Sequence, residues 1–240
     1  MRLQAAVNGA RRPGVHPRLP VTPEALAADA AAVVAAGADA LHVHVRGPDG
    51  AESYAPAAVA ATLGAIRSAV DVPVGVSTGR WVVPDAGVRH ATVAAWTVLP
   101  DFASVNFHEP GAPDLARLLL DRGVAVEAGC WDADSVQALV EAGLADACVR
   151  VLLEPVAQDL LVATATLADL LDALRDVAPG AGRLLHGYGA TTWAVLARAA
   201  ELGFATRIGL EDTLDLPDGR PARDNAALIT AARAILDDRP

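Results

Sequence analysis

Between residues 3 and 236, short runs rich in Val and Ala alternate eight times with longer stretches of helical period. A chain that repeats strand and helix in this way is left with few folds. The strands must run parallel with helices over them, and eight repeats close the sheet into a (β/α)8 TIM barrel. The strands are expected at 3–10, 38–46, 72–79, 102–108, 124–131, 146–154, 183–189 and 205–211. The helices fall between them, at 22–36, 56–69, 84–98, 112–121, 133–142, 164–177, 191–202 and 223–236. Thr22-Pro23-Glu24 reads as an N-cap followed by Pro in the first turn, and Gly37, Gly123, Gly143 and Gly203 stand where helices should stop.

The 240 residues suit one such domain, so a single (β/α)8 barrel over 1–240 is expected, with no linker, low-complexity tract or second domain. Nineteen basic against 29 acidic residues give a net charge of −10, which opposes a phosphate backbone, and nucleic acid is not an expected partner. No window reaches the ~18 uninterrupted apolar residues of a membrane span. The opening MRLQAAVNGARRPG lacks an apolar core of signal-peptide length, so a cytoplasmic location is expected. Cys130 and Cys148 lie in apolar runs without CxxC spacing and read as reduced core residues.

The most informative stretch is ALHVHVRG, residues 40–47. Side chains of a strand alternate between faces, so His42, His44 and Arg46 share one face and Leu41, Val43 and Val45 the other. The same polar class recurs near the end of every strand: Asn8, Ser77, Asn106 with His108, Glu127, Arg150 with Glu154, His186 with Tyr188, and Arg207 with Glu211. In such barrels chemistry gathers at the C-terminal ends of the strands, and each buried polar atom without a partner costs about 1–3 kcal/mol. Convergence of this kind favours an active site over a purely structural barrel. An HxH pair puts two imidazoles within about 6–7 Å along one strand face, and Glu211 on the eighth strand can aim at the same layer. Two His and one Glu form a catalytic zinc set with a fourth position left for water or substrate, although HxH alone also fits two histidines satisfied by neighbours.

Set in order along the chain, AAVNGA, LPVTPEALAADA, AGADALHVHVRGPDG, VGVSTG, SVN, VAVEAG and RIGLEDTLDLPDGRPARDNAALI resemble the motifs of the β-keto acid cleavage enzymes, typified by the 3-keto-5-aminohexanoate cleavage enzyme. The resemblance covers nearly the whole length. It implies a zinc-dependent barrel that condenses a β-keto acid with acetyl-CoA, then splits the product into acetoacetate and a new CoA thioester. By motif position it implies that His42, His44 and Glu211 hold one zinc ion per chain, and that Asp212 takes the proton from the carbon between keto and carboxylate groups, with Arg207 as its partner. Ser77 matches a substrate-contacting residue, and Asn106 is carried over from the loop after the fourth strand. Cobalt and manganese share such ligands with zinc. Barrels of this kind are commonly homo-oligomers, which is expected here too.

Three departures shape the details. Arg11 follows the first-strand GA where the family carries an acidic residue, which argues against a cationic substrate and for a neutral or anionic tail; Glu127 is a further candidate for a polar tail. NFHEPGAP replaces a Thr-bearing pattern. The chain is also shorter than family members usually are, and LLEPVAQD stands where a VPGG-like turn is expected, so fewer contacts to CoA are expected.

Two other readings use the same residues: an enolate-forming lyase or hydrolase that works on a keto acid without CoA, and a non-catalytic barrel that binds a small carboxylate. Proportional consumption of acetyl-CoA distinguishes the first, and retention of Asp212 weighs against the second. Amidohydrolase-type metal enzymes also carry HxH, but at the end of the first strand and with a Lys or His set on later strands; this chain has no lysine.

Overall fold

A computed structural model describes residues 3–178 and 180–238. Its strands are β1 (Leu3–Ala6), β2 (Ala40–Val43), β3 (Val74–Ser77), β4 (Phe102–Asn106), β5 (Ala125–Cys130), β6 (Arg150–Leu153), β7 (Gly182–Leu185) and β8 (Thr206–Ile208). All pair in parallel, in the order β7-β6-β5-β4-β3-β2-β1-β8. A parallel bridge between Leu184 and Ala205 joins the two ends, with Leu185 N–H donating to Ala205 O at 2.9 Å. The sheet is therefore closed into a (β/α)8 barrel.

The helices are α1 (Pro23–Ala35), α2 (Pro56–Ala69), α3 (Ala86–Ala94), α4 (Ala112–Asp121), α5 (Ala133–Glu141), α6 (Leu160–Ala173), α7 (Thr192–Glu201) and α8 (Asn225–Asp237). Thr22 caps α1 as expected, its side chain accepting from Ala25 N–H. α2 shows how the layers are fastened. Val59, Leu63 and Ile66 lie on one face at helical spacing, and all three are completely buried against the barrel. Each contributes about 1.5–3 kcal/mol relative to exposure. Among the described residues no helix is long and apolar enough to cross a membrane.

Every strand stops short of its expected limit, because hydrophobic alternation continues past the last ladder bond. At β1 and β2 a side chain takes over from the ladder: Asn8 donates Nδ2–H to His44 O and accepts His44 N–H, both at 2.9 Å. α6 begins four residues before its expected start at 164 because Asp159 caps it, accepting from Leu161 and Val162 N–H at 2.9 and 3.1 Å. α3 is shorter than the expected 84–98, with Asp85 as its N-cap.

Candidate metal centre and active site

His42 stands in β2, and His44 just beyond it is held in line by Asn8. Glu211 follows β8, the strand that flanks β1 on the side opposite β2. The three side chains converge, with one ligand atom from each lying within 4.8 Å of the others. Glu211 Oε2 is 3.7 Å from His42 Nε2, and Glu211 Oε1 is 3.4 Å from His44 Nε2. Gly9 of the NGA motif makes room for this carboxylate. It adopts φ +57°, and a Cβ there would stand 2.4 Å from Glu211 Cγ.

The residues fit a metal ion on two counts. Glu211 Oε2 is buried without a hydrogen-bond partner, an arrangement that costs free energy unless something is coordinated there. His44 Nδ1 lies 2.6 Å from Glu52 Oε2, so the Nδ1 proton faces Glu52 and Nε2 is the nitrogen turned toward the shared point, where a bound ion would take the place of its second proton. Two imidazole nitrogens and a carboxylate oxygen suit zinc.

Electrostatics prepare the ligands unequally. Burial drives His42 down to about 3, outweighing the pull of Glu211 and reinforced by Arg207 and His44. It is therefore a neutral imidazole ready to ligate. Burial acts on His44 in the same direction, but the carboxylates of Glu211 and Glu52 hold it up at about 9. Burial would raise Glu211, yet Arg207, His44 and His42 keep it ionised, well below the usual carboxylate range.

Arg207 ties this centre to the expected base. Its Nη2 donates to Glu211 Oε1 at 2.8 Å and to Asp212 Oδ1 at 2.9 Å. Asp212 is fully buried, with Oδ2 unpartnered. Burial raises its pKa despite Arg207 and His186, which makes it a stronger base than an exposed aspartate. His186 Nδ1 stands 3.5 Å from Asp212 Oδ1, and its Nε2 is 3.2 Å from Glu154 Oε2.

A cavity of about 440 Å³ opens over these groups, walled by His42, His44, Glu211, Arg207, His186 and Glu154 together with Ser77, Asn106, Arg11 and an aromatic and apolar rim of Trp81, Trp131, Tyr188, Leu152 and Val156. Of the expected site residues, His42, His44, Glu211, Arg207, Ser77, Asn106 and Arg11 thus share one cavity, with Asp212 bonded to its wall through Arg207. Glu127 lies elsewhere. It sits inside the barrel, completely buried, accepting from Gln4 Nε2 at 3.0 Å, Ser104 Oγ at 2.8 Å and Arg150. Arg46 turns away from the other two residues of its face and donates to Gly9 O and Arg11 O at 2.5 and 2.8 Å.

Sequence reading missed Glu52 and Glu109. Glu52 is returned to His44 by the Pro48-Asp49-Gly50 turn, a recognisable signal, through an antiparallel bridge between Arg46 and Glu52. Glu109 accepts from Asn106 Nδ2 at 3.0 Å and from Arg80 N–H at 3.1 Å, and pairs with the buried Arg89, so it clamps the loops after β3 and β4 together.

The beta-keto acid cleavage enzyme family model matches residues 1–239. The chain belongs to that family. Within it, a 3-oxoadipate:acetyl-CoA acetyltransferase of Cupriavidus necator is 28% identical over 240 residues, covering 93% of this chain and 83% of that protein. Among solved structures, apo ObcA superposes with TM-score 0.74 at 19% identity over 91% of this chain. The ternary complex of ObcA with a C4-CoA adduct and oxalate superposes with TM-score 0.73 at 19% identity over 92%. This chain spans only 61% and 64% of those two chains, and the likeness to them is one of fold.

Proposed function

We propose that this protein condenses a β-keto acid with acetyl-CoA and releases acetoacetate and a new acyl-CoA, at a zinc centre held by His42, His44 and Glu211. The observation that carries the reading is the junction of two groups at one cavity: the three-residue ligand set on its wall, and the Arg207–Asp212 pair, in which Asp212 stands behind that wall, joined by a single guanidinium. The acetyl-CoA-dependent name of the Cupriavidus relative supports the choice of co-substrate.

Zinc held there would act as a Lewis acid that acidifies the carbon between the keto and carboxylate groups. Asp212 accepts the proton from that carbon. Arg207 keeps Asp212 in place and holds Glu211 ionised, while Ser77 and Asn106, both on the cavity wall, bind and orient the keto acid. Arg11 faces the tail of the substrate. Its Nε donates to Glu211 O at 3.2 Å and its guanidinium carbon lies 5.8 Å from the centre of the Tyr188 ring, so a cationic tail would meet a fixed positive charge there.

The test is a panel of β-keto acids incubated with and without acetyl-CoA and followed for acetoacetate. The proposal expects acetoacetate carrying the acetyl carbons, in proportion to keto acid consumed. Cleavage that proceeds equally without acetyl-CoA would replace it with the CoA-independent lyase.

A further inference from the structure

The group that holds His44 belongs to a larger assembly drawn from two loops. Glu52 Oε2 meets His44 Nδ1 at 2.6 Å, with both side chains largely buried. The same carboxylate accepts the indole N–H of Trp81, with Nε1 at 3.1 Å from Oε1 and 3.2 Å from Oε2. The Trp81 ring then lies over the His44 imidazole, 5.9 Å between centroids and 17° from parallel. Imidazole, carboxylate and indole close a ring of contacts in which each member fixes the other two.

Both loops are shaped for this. Glu52 rides on the hairpin after β2, where Gly47 N–H donates to Ala51 O at 2.8 Å and Ser53 N–H donates to Val45 O at 3.0 Å. Trp81 follows Ser77-Thr78-Gly79, and its six-membered ring folds back over that glycine; a Cβ on Gly79 would stand 2.0 Å from two of the ring carbons. Tyr54 Oη donates to Gly79 O at 2.9 Å, fastening the two loops to each other. An indole that served only the rim of the cavity would have no need of a glycine beneath it or a carboxylate on its nitrogen.

We propose that Glu52, braced by Trp81, is the positioning residue of the metal centre, fixing the tautomer and ring plane of His44 so that Nε2 is aimed at the point shared with His42 and Glu211; the role rests on the metal-centre reading above. Glu52 reaches the ion only through His44. A carboxylate behind a ligating histidine orients the ring and raises its basicity, and loss of such a partner typically weakens metal binding about 10- to 100-fold.

The test compares Glu52→Gln, Trp81→Phe and, as control, His42→Ala with the wild type. Zinc affinity is read by competition with a chelating dye, and ligand geometry by the visible spectrum of the cobalt(II)-substituted protein. Glu52→Gln should bind zinc about 10- to 100-fold more weakly and shift the cobalt spectrum, with its melting temperature unchanged in the metal-free form. Trp81→Phe keeps a ring over His44 but loses the N–H, and should weaken zinc in the same direction by a smaller factor. Wild-type zinc affinity and a superimposable cobalt spectrum in Glu52→Gln, with zinc lost in His42→Ala, would overturn the role of Glu52 and leave the metal centre standing. Full zinc binding in His42→Ala would overturn the metal centre itself, and the positioning role with it.

Discussion

Arg207 and Asp212 are both buried, and the guanidinium Nη2 of one donates to Oδ1 of the other at 2.9 Å while also holding Glu211 at 2.8 Å. One cation thus serves the proposed metal ligand and the proposed base, which are neighbours in sequence. Removing the base should therefore leave the ligand in place. Asp212→Asn should keep its zinc yet lose exchange of the acidic substrate proton with deuterated water, followed by NMR of the keto acid. Unchanged exchange would exclude Asp212 as the base.

Arg11 lines the cavity, and in the proposed function it sets the sign of charge accepted at the cavity mouth. Arg11→Glu should raise KM for keto acids with an anionic tail by about tenfold or more, corresponding to about 1.4 kcal/mol, and improve turnover of amino-substituted ones. Steady-state kinetics on matched pairs of substrates reads this directly, and an unaltered preference would remove Arg11 from tail recognition.

Arg89 and Glu109 form an ion pair whose side chains are 1% and 3% exposed. Truncating one partner of such a pair strands the other charge in the interior, at a cost of about 3–5 kcal/mol. Arg89→Met is expected to lose stability on that scale in urea unfolding, and to raise KM because Glu109 no longer holds Asn106 and the loop at Arg80. A change below about 1 kcal/mol would mean that the pair adds little to the fold.

Asp29 gives stability a pH dependence away from the active site. Burial raises its pKa from 3.8 to about 7, with Asp224 adding to the rise and the hydrogen bond from Asn225 opposing it. The folded chain then holds this proton more tightly than the unfolded chain, so its contribution is present below pH 4 and is lost as pH rises toward about 7. Asp29→Asn keeps an acceptor for Asn225 and cannot ionise. Its melting temperature relative to wild type should climb between pH 4 and 8, and a constant difference across that range would contradict the assignment.

The barrel was legible because the alternation of short apolar runs with helical periods leaves few topologies, and the HxH face because two side chains of one strand cannot avoid a common side. Strand ends were over-extended since alternation persists where Asn8 replaces backbone pairing with its amide. Glu52, Trp81 and Glu109 have partners that were not legible, although the turn before Glu52 was. Each arrives through a turn or loop, and its partner is set by tertiary folding rather than by spacing along an element. Glu127 has the alternation of a site residue, but its carboxylate is taken up inside the barrel by Gln4, Ser104 and Arg150, partners that spacing along the chain does not encode.

The account rests on one ion shared by His42, His44 and Glu211, and metal content measured alongside turnover tests it most directly. Wild-type protein should carry one zinc per chain by plasma mass spectrometry, and His44→Ala should lose that zinc and the acetoacetate-forming activity together. A full equivalent of zinc retained by His44→Ala, or turnover undiminished in its absence, would contradict the central claim.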